Sequence, residues 1–250
     1  VRVSGFQVDL RIASLPPAAV ITHSHDDAHF VLALDEGYRS LAHDPLTPPD
    51  QSFDAGALVW NPPGVEHRDC VDSAGRRFLA VSFAAPAGAP RDAPRRLRGV
   101  AETAARHLVG AVARFRPGDA LKVEALALEL AGRVQDAVTL EEDPAPHWVL
   151  LARQVIGDLA LRQGLEVATI AGAVGVHPVS LARRYRRHFG ISPVEAIRRA
   201  RGDKAAALIV RNSNLADVAA RSGYADQSHM TREFVAGFGL TPGQYRAILD

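Results

Sequence analysis

The sequence predicts an α+β, multidomain protein. It has a β-rich N-terminal part, a helical hairpin, and an all-α C-terminal part with two helix-turn-helix units joined by a long helix. Three observations predict this. Short apolar segments broken by turn-forming residues fill the first 85 or so positions. Apolar residues recur at three- and four-residue spacing from Arg95 to about Leu140. A segment near the C-terminus repeats at an offset of 48 residues. With 250 residues and 47% hydrophobic content, one large domain or two modest ones with real cores are allowed.

Several classes are excluded early. No run of about 18 apolar residues exists, so no membrane span is expected. The start, VRVSGFQVDL, lacks the basic and apolar regions of a signal peptide, and a cytoplasmic protein is expected. Cys70 is the single cysteine, which rules out an internal disulfide framework and a Cys-rich zinc module. Net charge is +1, but it is unevenly spread. Residues 147–250 carry 14 Arg+Lys and 8 Asp+Glu, and the remainder carries 15 and 20. That asymmetry predicts a polyanion-binding module joined to a part that does not bind polyanions.

In chain order, VITHSHDDAHFVLAL, ALVWNPP and RRFLAVSFAA alternate with HDPLTPPDQ and DSAGRR. Short strands at this spacing predict an all-β sandwich or barrel. PAGAPRDAP then reads as a linker. Leu97, Val100, Ala101, Ala104, Leu108 and Val112 form one helical stripe. After the break RPGD, Leu121, Leu128, Ala131, Val134 and Val138 form another. Two amphipathic helices with a short connection make an αα-hairpin, suited to cover the β-rich part or a second subunit. EEDPAP at 141–146 is a second linker. The expected divisions are 1–90 for the β-rich part, 91–146 for the hairpin and linker (a candidate dimerisation element), and 147–250 for the helical part.

The repeat lies in that last division. ATIAGAVGVHPVSLARRYRRHFGISP (168–193) resembles ADVAARSGYADQSHMTREFVAGFGLTP (216–242). Leu181 matches Met230, Tyr185 matches Phe234, Phe189-Gly190 matches Phe238-Gly239, and Arg183 matches Arg232. In each copy a short helix ends at a glycine, Gly175 or Gly223, which can take the left-handed conformation that stops it. A second helix follows. It starts after the N-cap Asp226 in the second copy, and after His177 with Pro178 at the first helical position in the first copy. Between the copies, SPVEAIRRARGDKAAALIV predicts a helix of about 28 Å, which would hold two reading heads about one DNA turn apart. The four arginines Arg183, Arg184, Arg186 and Arg187 lie on the first recognition helix, where arginine binds guanine edges or phosphates.

Residues 147–250 resemble the DNA-binding domain of the AraC/XylS family of transcription regulators. DVAARSGYADQSHMTREFVAGFGLTPGQYR carries the resemblance, in the family's order from its "IA…GF" helix to its terminal "F…G…P…YR". The resemblance implies double-stranded promoter DNA as partner, with one helix of each unit in adjacent major-groove segments. Carried over by position, the outward residues are Val179, Ser180, Ala182 and Arg183 in the first helix, with Arg184 and Arg187 as further arginine contacts. In the second they are Gln227, Ser228, His229 and Arg232. Val179 and Ala182 leave the first helix few base-reading groups.

HSHDDAH at 23–29 concentrates three of the chain's ten histidines. In a regular strand His23, His25 and His29 share one face. Their spacing resembles the first motif of the cupins, with histidine where glutamate is usual and Gly37 following. Gly56-x5-Pro62-x-Gly64-x2-His67 resembles the second. The cupin resemblance implies a small N-terminal barrel with His23, His25, His29 and His67 pointing inward, the sensor that many AraC-like regulators carry. Four imidazoles suit a transition metal: zinc, with nickel, copper or iron as alternatives. Asp27 and Cys70 are weaker extra candidates, and Asp26 is expected in solvent. The alternative is a cupin that takes only an organic ligand.

Three functions compete. The first is a DNA-binding regulator whose cupin binds a metal ion, a small effector or both, with a homodimer as one arrangement and RNA polymerase as partner if it activates. The second is a metal-dependent cupin enzyme with a helical appendage, of dioxygenase or isomerase type, in which Glu66 beside His67 is a candidate base. The third is a protein-binding adaptor that has lost DNA contact. The basic duplicated helix-turn-helix favours the first, with no catalytic residue assigned.

Overall fold

The computed structural model describes residues 1–15, 19–35, 37–40, 52–53, 55–85, 93–97, 99–139, 145–211 and 214–249. It divides into two compact units, Val1–Thr139 and Leu140–Asp250. The loop HDPLTPPDQ and most of the two linkers lie outside the described residues.

The first unit is an antiparallel sheet region followed by a helical hairpin. Its strands are β1 Arg2–Val3, β2 Phe6–Ile12, β3 Ala28–Ala33, β4 Tyr38–Ser40, β5 Ser52–Phe53, β6 Leu58–Asn61, β7 Asp69–Val71, β8 Arg77–Phe83 and β9 Arg95–Leu97. They form a six-stranded sheet in the order β1-β2-β8-β3-β6-β9 and a three-stranded sheet in the order β5-β4-β7. Among the described residues their hydrogen bonds do not close into one barrel.

Strand β3 sits between β8 and β6, pairing Phe30 with Val81 and with Trp60. All six of its residues are buried, as expected for AHFVLA, a central strand covered on both faces. One face carries Val31 and Ala33, which pack with Tyr38, Ala57, Val59 and Val71 into a core spanning both sheets. The opposite face carries Phe30, whose ring lies 5.0 Å from Trp60 and 5.4 Å from Phe83. His29 alternates with Phe30, so it joins the Val31 face.

The hairpin consists of α1 Val100–Ala113 and α2 Ala120–Thr139, joined through a 3-10 turn at Pro117–Asp119. Helix α1 packs against β2, β3 and β6. Its stripe Ala101, Ala104, Ala105, Leu108 and Val109 is buried. Arg95–Leu97, expected at the start of the helical stretch, is instead an edge strand pairing with β6. Leu97 fits a strand face as well as a helix stripe, and the backbone partner decides.

The second unit is all helical: α3 His147–Leu159, α4 Val167–Ala173, α5 Pro178–Phe189, α6 Pro193–Ile209, α7 Leu215–Arg221, α8 Gln227–Phe238 and α9 Pro242–Leu249. Helices α4–α5 and α7–α8 are the two helix-turn-helix copies. Their matched apolar positions are all buried: Leu181, Tyr185 and Phe189 in α5, and Met230, Phe234 and Phe238 in α8. The His177 ring accepts the Val179 backbone N–H, and the Asp226 carboxylate accepts that of His229 at 2.7 Å. These caps satisfy helix-start donors that otherwise lack partners. Helix α6 joins the copies. Its 17 residues span about 25 Å.

The segment that follows α3 is also tied to α6 and to the second copy. Arg201 on α6 donates to the carbonyls of Ala160 (2.7 Å) and Arg162 (2.8 Å) at the end of α3. Gln163 donates to the Tyr224 carbonyl at 3.0 Å. Gly223, at φ +79°, approaches Leu161 so closely that a Cβ there would lie 2.5 Å from its carbonyl oxygen.

Candidate metal centre and nucleic-acid interface

In the first unit the backbone gathers the histidines. HSHDDAH is not a continuous strand, because β3 begins only at Ala28. His23 instead forms an isolated antiparallel bridge with His67. The His23 N–H donates to the His67 carbonyl at 3.0 Å, and the return bond is 2.9 Å. The Gly64 N–H donates to the His25 carbonyl at 2.8 Å. The two expected motifs are thus stitched to each other through main chain, and His29 follows on β3.

The side chains converge. Ring centroids lie 4.7 Å apart for His23–His67, 4.9 Å for His23–His25, 4.7 Å for His25–His29 and 4.7 Å for His29–His67. Possible ligand atoms of His23, His25 and His67 lie within 4.8 Å of one another, and so do those of His29, His67 and Asp69. The Nδ1 atoms of His23 and His67 contact the carbonyls of Ile21 (2.9 Å) and Val65 (3.0 Å). A carbonyl only accepts, so each Nδ1 carries the proton and each Nε2 presents a lone pair. The Nε2 of His67 is buried without a hydrogen-bond partner.

Burial, reinforced by the neighbouring imidazoles, lowers the pKa of His25 and pushes that of His29 down to about 3. Both are therefore neutral at pH 7, the form that binds metals. The Asn61 side-chain amide lies 3.2 Å from the His29 Nε2 and donates to Asp69 at 2.5 Å, while the Tyr38 hydroxyl donates to Asp69 at 2.7 Å. Burial and that carboxylate hold the Tyr38 hydroxyl protonated, well above its ordinary pKa.

Asp69 was not among the expected residues. Its signal was the alternation His67-x-Asp69. Asp26 and Asp27 are exposed on the bend before β3, and Cys70 is buried. All three line a cavity of about 650 Å³ beside the cluster, together with Arg11, Gln7, Ser82 and apolar Ile12, Val31, Val71 and Phe78. Glu66 is exposed.

In the second unit, Val179, Ser180, Arg183, Arg186 and Arg187 are exposed on α5, and Arg184 is half-buried. On α8, Gln227, Ser228 and Arg232 are exposed, and half-buried His229 sets its ring edge-on to Tyr224 at 5.5 Å. Each set lies opposite its helix's buried face.

Residues 160–248 match the helix-turn-helix domain family, spanning both copies and the α6 connector. The C-terminal unit therefore contains a helix-turn-helix domain. Such a domain supports a DNA-binding transcription regulator. Among solved structures, the chain is similar to the C-terminal domain of AraT, a response regulator from Geobacillus stearothermophilus. Identity is 29%, over 42% of this chain and 88% of that one, with a TM-score of 0.41. It is similar to ToxT from Vibrio cholerae at 12% identity over 98% of each chain, TM-score 0.40. A third is a DNA-binding transcriptional dual regulator from Escherichia coli, at 24% identity over 41% and 97%, TM-score 0.36. At these TM-scores none of the three bears on what this chain binds. No curated protein matches the chain. Among the described residues no helix is long and apolar enough to cross a membrane.

Proposed function

We propose that this chain is an AraC-type regulator that binds promoter DNA through α5 and α8, under control of a transition metal held by His23, His25, His29 and His67 in a cupin-like N-terminal sensor. The observation that carries the metal is the buried, unpartnered Nε2 of His67, in the middle of three other imidazoles. A buried lone pair without a donor is costly, and a cation supplies the missing partner. Zinc is the favoured ion, and nickel, copper and iron suit the same donors. Held by these imidazoles, zinc would supply the positive charge that the buried lone pairs lack. The Asn61 amide, which faces the His29 Nε2, also donates to Asp69, so the carboxylate fixes the group beside this ring.

The cavity adds a place for a small organic effector with one end at the cluster and an apolar body along Val31, Val71 and Phe78. Ion or effector then shifts the populations of arrangements that do and do not fit two half-sites. The regulator acts in the cytoplasm, contacts RNA polymerase if it activates, and dimerises through the exposed stripe of α2.

Metal content of protein purified without chelators or a His-tag tests the reading, together with DNA binding before and after metal removal. Near-stoichiometric metal, lost in His25→Ala and coupled to DNA affinity, supports it. Failure to take up metal on reloading removes the ion and leaves a cavity for an organic effector alone.

A further inference from the structure

The two recognition helices present different chemistry at matched positions. On α8 the outward positions are Gln227, Ser228, His229, Thr231 and Arg232, nearly all with hydrogen-bonding groups. The exception is Thr231, whose hydroxyl is spent on the Gln227 carbonyl at 2.8 Å. On α5 the matched residues are Pro178, Val179, Ser180, Ala182 and Arg183. Val179 stands where α8 has Ser228, and it is 68% exposed.

Neither packing nor helix propensity accounts for Val179. Its side chain is mostly in water, and valine is a weaker helix former than most polar residues. It occupies the second position of a recognition helix, in the first turn, where such helices meet base edges. Arg183 is exposed one turn further along the same face. A base edge buried against an isopropyl group gains nothing from hydrogen bonding, and its donors and acceptors lose water. The major groove holds one apolar group that avoids this cost, the C5 methyl of thymine. Arg183 has the fork that fits O6 and N7 of guanine.

Resting on the DNA-binding reading above, we propose that α5 reads a thymine methyl through Val179 next to a guanine held by Arg183. The half-site under α5 is then specified largely by methyl contact, and the half-site under α8 by hydrogen bonds.

The test uses the full chain and a pool of random-sequence duplexes, selected in parallel with wild type and with Val179→Ser. The position whose preference changes between the two marks the base under residue 179. The wild-type duplex is then resynthesised with deoxyuridine at that position, which removes only the methyl. Wild type is expected to select thymine there and to bind the deoxyuridine duplex about fourfold more weakly, the factor for one buried methyl-sized group. Val179→Ser, with an unchanged melting curve, should bind the two duplexes equally. Equal binding by wild type, or a thymine preference that persists in Val179→Ser, overturns the proposal. Enrichment of no duplex at all overturns the DNA-binding reading, and this inference with it; a selected sequence without methyl dependence overturns only the inference.

Discussion

His23 and His67, 44 positions apart in sequence, exchange two backbone hydrogen bonds of 3.0 and 2.9 Å. Their ring centroids lie 4.7 Å apart, with the planes tilted by 59°. The bridge fixes both main chains, and the carbonyls of Ile21 and Val65 fix both ring tautomers. The His23 and His67 rings are therefore already positioned for the proposed ion. His67→Ala removes the most buried donor, and metal affinity should fall by more than about 100-fold, beyond the usual cost of losing an outer-shell partner. Competition against a chelating dye measures it. Unchanged affinity would move the ion away from this cluster.

Acid should weaken the metal-free N-terminal unit in a defined window. His29 titrates near pH 3 when folded and near 6.5 otherwise, because burial opposes its charge. Between those values the unfolded chain binds a proton that the folded chain refuses. Stability is thus full above about pH 6.5 and declines as pH falls toward 3, by up to about 1.4 kcal/mol per pH unit for this one proton. His25 is shifted the same way and adds to the slope. Urea midpoints at pH 7.5, 6 and 5 read the effect before the carboxylates titrate. His29→Gln should flatten the slope, and an equal slope in the variant contradicts the assignment.

The helical half was legible because its cues are local. Matched apolar positions, N-caps and glycine stops are each set by neighbours a few residues away, and Leu181, Tyr185, Met230 and Phe234 are buried in register. The β-rich half was legible only in part. The spacing of His23, His25 and His29 singled out side chains that the fold brings together, although the segment is a bridge and a bend leading into β3 rather than one strand. Arg95–Leu97 became a strand because β6 offered it a partner, which no local pattern reveals. Asp69 escaped notice for a similar reason. Its place beside His29 depends on Asn61 and Tyr38, which come from other strands.

Gly223→Ala should damage the second unit without touching either recognition surface. The new methyl would meet the Leu161 backbone at 2.5 Å, and φ +79° disfavours any side chain. Combined overpacking and backbone strain predict a loss of about 3 kcal/mol, measured by denaturant unfolding of the full chain. A change below about 0.5 kcal/mol would mean that the second copy does not press against Leu161 there.

Helix α2 exposes Leu121 (76%) and Leu128 (54%). Ala125 and Gly132 are exposed with them, at spacings of four, three and four residues. Such a stripe matches the seam of a two-stranded coil. Run antiparallel to a copy of itself, it sets each leucine against a small residue and brings Lys122 toward Glu129. Leu128→Glu should convert a dimer to a monomer in light scattering at micromolar concentration. A wild type that is already monomeric under those conditions excludes this interface.

Arg183 and Arg232 occupy matched, exposed positions on α5 and α8, so the same substitution separates their roles. An arginine that binds phosphate releases a counterion on binding. Replacing it with alanine lowers affinity equally for all sequences and reduces the slope of log affinity against log salt by about 1. An arginine that binds guanine costs about 1–3 kcal/mol at one base position when replaced, and relaxes preference there. On the proposal that Arg183 holds a guanine beside the thymine under Val179, Arg183→Ala should broaden selection at one position next to that thymine. Arg232→Ala should alter the other half-site and leave that thymine–guanine pair intact. Binding of wild type and both variants between 50 and 200 mM salt, on selected and scrambled duplexes, resolves the two. Loss of affinity on scrambled duplexes as large as on selected ones would assign Arg183 to the backbone instead.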